Sequence, residues 1–137
     1  MKYLPSVEQS LRIITWTFVL TIIYHLAIIF QFIPFEFVWG GRLTSEKEMY
    51  QFESVSLLLN IVFLVLSMTL LRKKEMRKKT VVKVIFYLFA VLFLMNTAGN
   101  MVAISAFEKY IFTPVTLIVA LLCLRIAVGD KGQSTSS

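Results

Sequence analysis

The chain has 137 residues, of which 58% are hydrophobic and only 16% are charged, and its formal net charge is +6. Soluble domains have about 45–50% apolar and about 25% charged residues, so this composition indicates a membrane protein of one domain. The positive charge lies beside the hydrophobic runs, which favours membrane lipid as a partner and argues against nucleic acid. The single cysteine, Cys123, lies in an apolar run and can form no disulfide within the chain.

Four uncharged runs predict four transmembrane helices. A helix needs about 20 apolar residues to cross the bilayer core, and the first three runs have 23, 18 and 24 residues. The last run has 15 residues, but Arg125, which follows it, has a side chain long enough to reach the interface. That span can therefore continue to Val128. The predicted spans cover residues 13–35, 52–71, 84–105 and 112–128.

The loop between the second and third spans predicts the orientation in the membrane. This basic loop, residues 72–79 with the sequence RKKEMRKK, holds six of the fourteen lysines and arginines. Short basic loops stay in the cytoplasm, and four spans then place both termini on the same side. We predict an all-α, antiparallel four-helix membrane bundle with N-in and C-in orientation, formed by residues 1–128 and followed by a polar tail, residues 129–137.

Local signals predict where several helices begin and end. Pro34 is expected to end the first helix, because its ring clashes with the preceding turn. In the first outer loop, the glycine pair at 40–41 permits a sharp turn with positive φ. The sequence TSEKE at 44–48 is typical of a helix N-cap followed by acids in the first turn. The threonine-proline pair at 113–114 is typical of an N-cap and first helical position.

Polar side chains inside the apolar runs are the candidate functional residues. Asn96 and Asn100 project from one face of the third span, about 40° apart around its axis. At a rise of about 1.5 Å per residue, Asn96, His25 and Asn60 all lie about 12–14 Å below the outer surface, with Glu53 and Asn100 above them. Lipid cannot satisfy a carboxamide. We therefore predict that these groups face the bundle interior in its outer half.

Several interpretations of this cluster remain open. The residues can be ordinary interhelical contacts, with hydrogen bonds of about 0.6 kcal/mol each. They can instead line an outward-facing pocket that binds or transports a lipid headgroup or a small amphipathic molecule. They can also belong to a small membrane enzyme acting on a lipid, with His25 or Glu53 as acid or base. A last alternative is an accessory subunit that packs against a larger membrane complex.

The pocket interpretation gives a set of ligand-binding residues. The WGGR turn adds backbone N–H groups and the guanidinium of Arg42 as donors to an anion. No pair of side chains has the spacing of metal ligands, and nucleotide-binding fingerprints are absent, so we expect no metal and no cofactor. A protein partner or a second copy of the chain is also compatible with the sequence. The predicted ligand-binding residues are His25, Glu53, Asn60, Asn96, Asn100 and Arg42.

Three stretches of the sequence carry a resemblance. With FVWGGRL, NTAGN and FEKYIFTPVTLIVALLCLRIA, the chain resembles a group of small bacterial four-helix integral membrane proteins that have a similar WGGRL loop and similar N-T-x-G-N and F-E-K…T-P-x-T motifs. The resemblance covers nearly the whole chain. It implies a bacterial cytoplasmic (inner) membrane and brings no activity or site residue. In size and helix count the chain also resembles small multidrug exporters, but its first span lacks their membrane-embedded glutamate.

The predicted orientation is testable by labelling cysteines in intact cells. In a Cys123→Ser background, Ser45→Cys should react with an impermeant thiol reagent, because it lies in the first outer loop. Lys78→Cys should not react, because the basic loop is predicted to be cytoplasmic. Labelling of Lys78→Cys, alone or together with Ser45→Cys, would contradict the orientation.

Overall fold

The protein folds as two helical hairpins that pack into one four-helix bundle. The computed structural model describes residues 5–129, so the predicted tail lies outside the described residues except for Gly129. All four helices, the last counted from Glu108, are long and apolar enough to cross a membrane, which confirms the predicted all-α membrane bundle. Helix α1 packs on α2, α3 packs on α4, and α1 also contacts α4. The helices are α1 (Val7–Ile29), α2 (Glu46–Arg72), α3 (Thr80–Met101) and α4 (Thr113–Val128).

The main hydrophobic core fills the half of the bundle nearest the chain termini. Phe18 of α1 stacks on Phe63 of α2 with ring centroids 4.8 Å apart, and both rings also contact Phe93 of α3. Cys123 is fully buried in this core, as expected for a small packing residue. The buried carboxylates, Glu53 and Glu108, lie toward the opposite end of the bundle. We call that opposite end, where the loops 30–45 and 102–107 lie, the outer end.

The first helix begins and ends earlier than its predicted span. It begins at Val7, because Ser6 forms a capping box at its N-terminus. It ends at Ile29, and Gln31 then adopts a left-handed conformation with φ 57°, which cannot continue a right-handed helix. Pro34 therefore follows the end of the helix and does not cause it.

Of the two helix N-caps predicted from the sequence, the one before α2 is present in the structure and the one before α4 is not. The N-cap before α2 is confirmed, since the Ser45 hydroxyl accepts a hydrogen bond from the Glu48 backbone N–H at 3.3 Å. The N-cap predicted at Thr113 is wrong, because the chain is already helical in a π-helical turn, Glu108–Phe112, that leads directly into α4. Pro114 lies in the first turn of α4, where its missing N–H is tolerated.

Arg125 joins the two ends of the described chain. Helix α4 continues past Arg125 to Val128, as expected. The guanidinium donates from Nε to the Pro5 carbonyl oxygen at 2.9 Å and from Nη1 to the Gly129 carbonyl oxygen at 2.7 Å. A planar guanidinium can make both bonds at once. Arg125 therefore ties the start of α1 to the end of α4.

Because of these two hydrogen bonds, we expect the stability of the bundle to depend on having arginine and not lysine at position 125. Arg125→Lys keeps the charge but should lose one bond, and should lower the free energy of unfolding by about 1.5 kcal/mol, as for a hydrogen bond to a charged group. Arg125→Asp should also impair insertion, because it reverses the charge on the predicted cytoplasmic flank. Thermal unfolding in detergent and the amount of protein in the membrane fraction measure the two effects.

Arg72→Lys is the matched control, since Arg72 is exposed near the same end and its substitution should change stability by less than about 0.5 kcal/mol. If Arg125→Lys behaves like this control, the two bonds do not stabilise the bundle.

Candidate functional site

The buried carboxylate of Glu53 is the centre of a polar network at the outer end. Glu53 lies in the early part of α2 and is only 1% exposed. Its Oε2 lies 2.6 Å from Nδ1 of His25 in α1, and its Oε1 accepts a hydrogen bond of 2.6 Å from the indole N–H of Trp39. Burying a carboxylate is costly unless it is paired and hydrogen-bonded. Glu53 has a partner on each oxygen, one from a helix and one from the first outer loop.

The contact with Glu53 orients the imidazole of His25. A carboxylate only accepts hydrogen bonds, so Nδ1 is the ring nitrogen that carries the donated proton. The other ring nitrogen, Nε2, lies 3.4 Å from Nδ2 of Asn60 in α2. That amide also donates to the Ser56 carbonyl oxygen at the shorter distance of 2.7 Å. The carboxylate thus holds the ring while Nε2 keeps only a long contact, an arrangement suited to accepting a proton.

The WGG turn holds a second carboxylate. Trp39, Gly40 and Gly41 all have positive φ, at 55°, 71° and 70°. The Gly40 N–H donates a hydrogen bond of 2.7 Å to Oε2 of Glu108, which lies at the start of the turn before α4. The sequence predicted that backbone N–H groups of this turn hold an anion. In the structure they hold a carboxylate of the same chain, which fastens the first loop to the second hairpin.

The two carboxylates lie near each other and near a tyrosine ring. Glu53 and Glu108 are close enough to repel one another electrostatically, and both lie near Tyr24 of α1. The Tyr24 ring packs against Phe112 with centroids 4.9 Å apart and against Phe107 at 6.2 Å. Tyr24 lies in α1, Glu53 lies in α2, and the other groups lie in the segment 107–112 that leads into α4. The outer end is therefore a polar region bordered by aromatic rings.

The two asparagines of α3 have different environments. Asn100 Nδ2 lies 3.5 Å from the Thr116 hydroxyl, which also shares a hydrogen bond of 2.9 Å with the Thr97 hydroxyl. Asn100 thus belongs to a contact between α3 and α4. Asn96 is exposed, so the prediction that it faces the interior is wrong. The buried face of α3 contains Thr97, and successive residues of a helix are about 100° apart, which turns Asn96 outward.

The structure brings together three of the six predicted site residues. The convergence of His25, Glu53 and Asn60 is confirmed, Asn100 lies on the neighbouring helix pair, and Asn96 and Arg42 lie at the surface. The prediction missed the indole of Trp39, whose only signal in the sequence was its position beside two glycines. It also missed the threonine pair between α3 and α4, because single hydroxyls are common in membrane helices and carry little information.

The outer end also has a shallow depression beside α2. It has a volume of about 640 Å³, and none of the six predicted site residues lines it. A ligand-binding role for those six residues stays a prediction. Among residues 5–129, no group of three or more His, Cys, Asp or Glu side chains is placed to hold a metal ion. The lining residues of the depression are Glu46, Lys47, Tyr50, Gln51 and Ser54.

Comparison of the chain with protein-family models, with curated proteins and with solved structures gives no match.

The hydrogen bond from Trp39 to Glu53 predicts that substitution of the two tryptophans of the chain will have very different effects on stability. Trp39→Phe keeps an aromatic ring but removes the N–H, and leaving one oxygen of a buried carboxylate without its donor should lower the free energy of unfolding by about 2 kcal/mol. Trp16 is 69% exposed, so Trp16→Phe should change stability by less than about 0.5 kcal/mol.

Unfolding of both variants in the same detergent measures the difference. Equal stability of the two would mean that the indole N–H does not support Glu53.

Proposed function

We propose that the protein binds a lipid headgroup or a small amphipathic molecule at its outer end, in a bacterial cytoplasmic membrane, with the Glu53–His25 pair as the polar centre of the site. One observation carries the proposal: Glu53 is 1% exposed and lies 2.6 Å from His25, between two helices apolar enough to cross a membrane. Ionisable groups in such helices are rare and usually belong to binding sites, ion pathways or proton relays.

The surrounding side chains support an amphipathic ligand. His25 Nε2 has only a 3.4 Å contact with Asn60, so it retains capacity to bind a polar group of a ligand. Arg42 is exposed beside the WGG turn and can bind a phosphate or carboxylate through two parallel hydrogen bonds. Exposed apolar side chains of α1 and α2 then offer a surface to the alkyl part. This combination favours a headgroup over a fully polar solute.

The orientation of His25 favours a second candidate function, a small membrane enzyme acting on a lipid. A carboxylate that binds Nδ1 of an imidazole leaves Nε2 free to take a proton from a hydroxyl group or a water molecule. Glu53 would then stabilise the imidazolium that forms. In this alternative His25 is the general base, Glu53 orients it, and the lipid bound at the outer end is the substrate.

Lipid retention tests the binding proposal. Protein purified from native membranes in mild detergent should carry a defined lipid or amphiphile in stoichiometric amount, as read by mass spectrometry. Glu53→Gln keeps the size of the side chain and an acceptor for Trp39 but removes the charge that holds His25. We expect it to lower retention at least tenfold, which corresponds to about 1.4 kcal/mol of binding free energy.

Glu36→Gln is the matched control, because Glu36 is an exposed carboxylate in the loop 30–45 at the same end of the bundle, and it should retain the ligand. Thermal unfolding of each variant separates lost binding from lost folding. Wild-type protein that carries only the bulk lipid composition of its membrane would exclude the proposal. A product that forms over time from a lipid extract, and that His25→Ala abolishes, would favour the enzyme.

A further inference from the structure

The outward face of α3 carries a carboxamide that the described chain does not satisfy. Asn96 is exposed, and no hydrogen bond within residues 5–129 includes its side chain. It lies five residues before the last residue of α3, Met101, or about 7 Å from that end of the helix. Long side chains such as lysine can reach the interface from this depth, but the asparagine side chain is too short. In the membrane, Asn96 therefore needs a partner from another molecule.

The surface around Asn96 is apolar and allows another helix to approach closely. Met95 is 67% exposed, and Leu88 and Leu92 are exposed on the same side of α3. Gly99 lies one turn after Asn96, and a Cβ added there would meet no atom within 4 Å. Small residues at a helix surface let two backbones come together, and polar residues beside them form hydrogen bonds across the contact. The face has both features, since a glycine and a carboxamide lie one turn apart.

We propose that this face binds α3 of a second copy of the same chain, with the two Asn96 side chains hydrogen-bonded to each other. A carboxamide has both a donor and an acceptor, so it is complementary to its own copy across a two-fold axis. Two copies inserted in the same orientation are related by an axis along the membrane normal. Both Asn96 side chains then lie at the same depth, where lipid offers no competing hydrogen bond.

The proposed dimer is independent of the function proposed for the outer end. The Glu53–His25 network is formed by α1, α2 and the first loop, and the dimer face lies on α3. The buried face of α3, with Phe86, Ala90 and Thr97, stays in contact with its own bundle. Dimerisation would therefore leave both the bundle and the outer site unchanged.

Disulfide cross-linking in native membranes tests the contact. In a Cys123→Ser background, Leu92→Cys should form a dimer of the chain on mild oxidation, because Leu92 lies one turn before Asn96 on the same face. Val65→Cys is the matched control, since Val65 is an exposed apolar residue of α2, and it should stay monomeric. Equal cross-linking of the two variants would overturn the proposal, as would cross-linking of Leu92→Cys only to a different protein.

The role of the carboxamide is tested by dilution in lipid. Fluorescently labelled protein in vesicles of phosphatidylethanolamine and phosphatidylglycerol should show energy transfer that falls as lipid is added. Asn96→Leu should weaken the dimer about three- to thirtyfold, the range expected for interhelical carboxamide bonds, and Asn96→Gln should retain most of the affinity. Because Asn96 is exposed, neither change should alter unfolding of the monomer. A monomeric wild type, or an Asn96→Leu variant that associates as tightly, would refute the inference.

Discussion

A carboxylate buried inside an apolar bundle needs hydrogen-bond partners for its oxygens. Glu53 meets this constraint with groups from two other segments of the chain. His25 approaches from α1 and Trp39 from the first loop, each at 2.6 Å. Removing either partner would leave one oxygen of the buried carboxylate without its hydrogen bond, which costs about 2 kcal/mol. The relative positions of α1, α2 and the loop at the outer end all depend on this one group.

The constraint extends from Glu53 to the second hairpin through the WGG turn. Placing the Trp39 indole on Glu53 brings the left-handed residues that follow it toward the start of the π-helical turn. There the Gly40 N–H binds Glu108. Two carboxylates that are far apart in sequence thus hold the first loop in place. Glu53 binds the Trp39 indole, and Glu108 binds the Gly40 N–H. Few residues other than glycine adopt the required backbone without strain, which explains the glycine pair in this loop.

The two halves of the bundle are stabilised in different ways. Near the termini, phenylalanine and aliphatic side chains pack closely, and Glu8 forms ion pairs with Lys74 and with the mostly buried Arg77. In the outer half, hydrogen bonds between side chains and contacts between aromatic rings replace part of this packing. An apolar half tolerates conservative substitution, whereas a buried polar network fails when one member is lost. This difference makes the outer half the more suitable place for binding or proton transfer.

The sequence by itself determined the number of helices, the presence of an N-cap in TSEKE before α2, and the convergence of His25, Glu53 and Asn60. Each depends on a property that runs along the chain: the length of apolar runs, the identity of a capping residue, and depth counted from an outer boundary. Only the tertiary structure decided the rotation of each helix about its axis. That rotation turned Asn96 outward and Thr97 inward, because side-chain packing with α4 selects which face of α3 is buried. It also decided that Trp39 binds Glu53 and that the WGG turn binds Glu108, since a hydrogen bond between distant segments depends on how all the helices pack together.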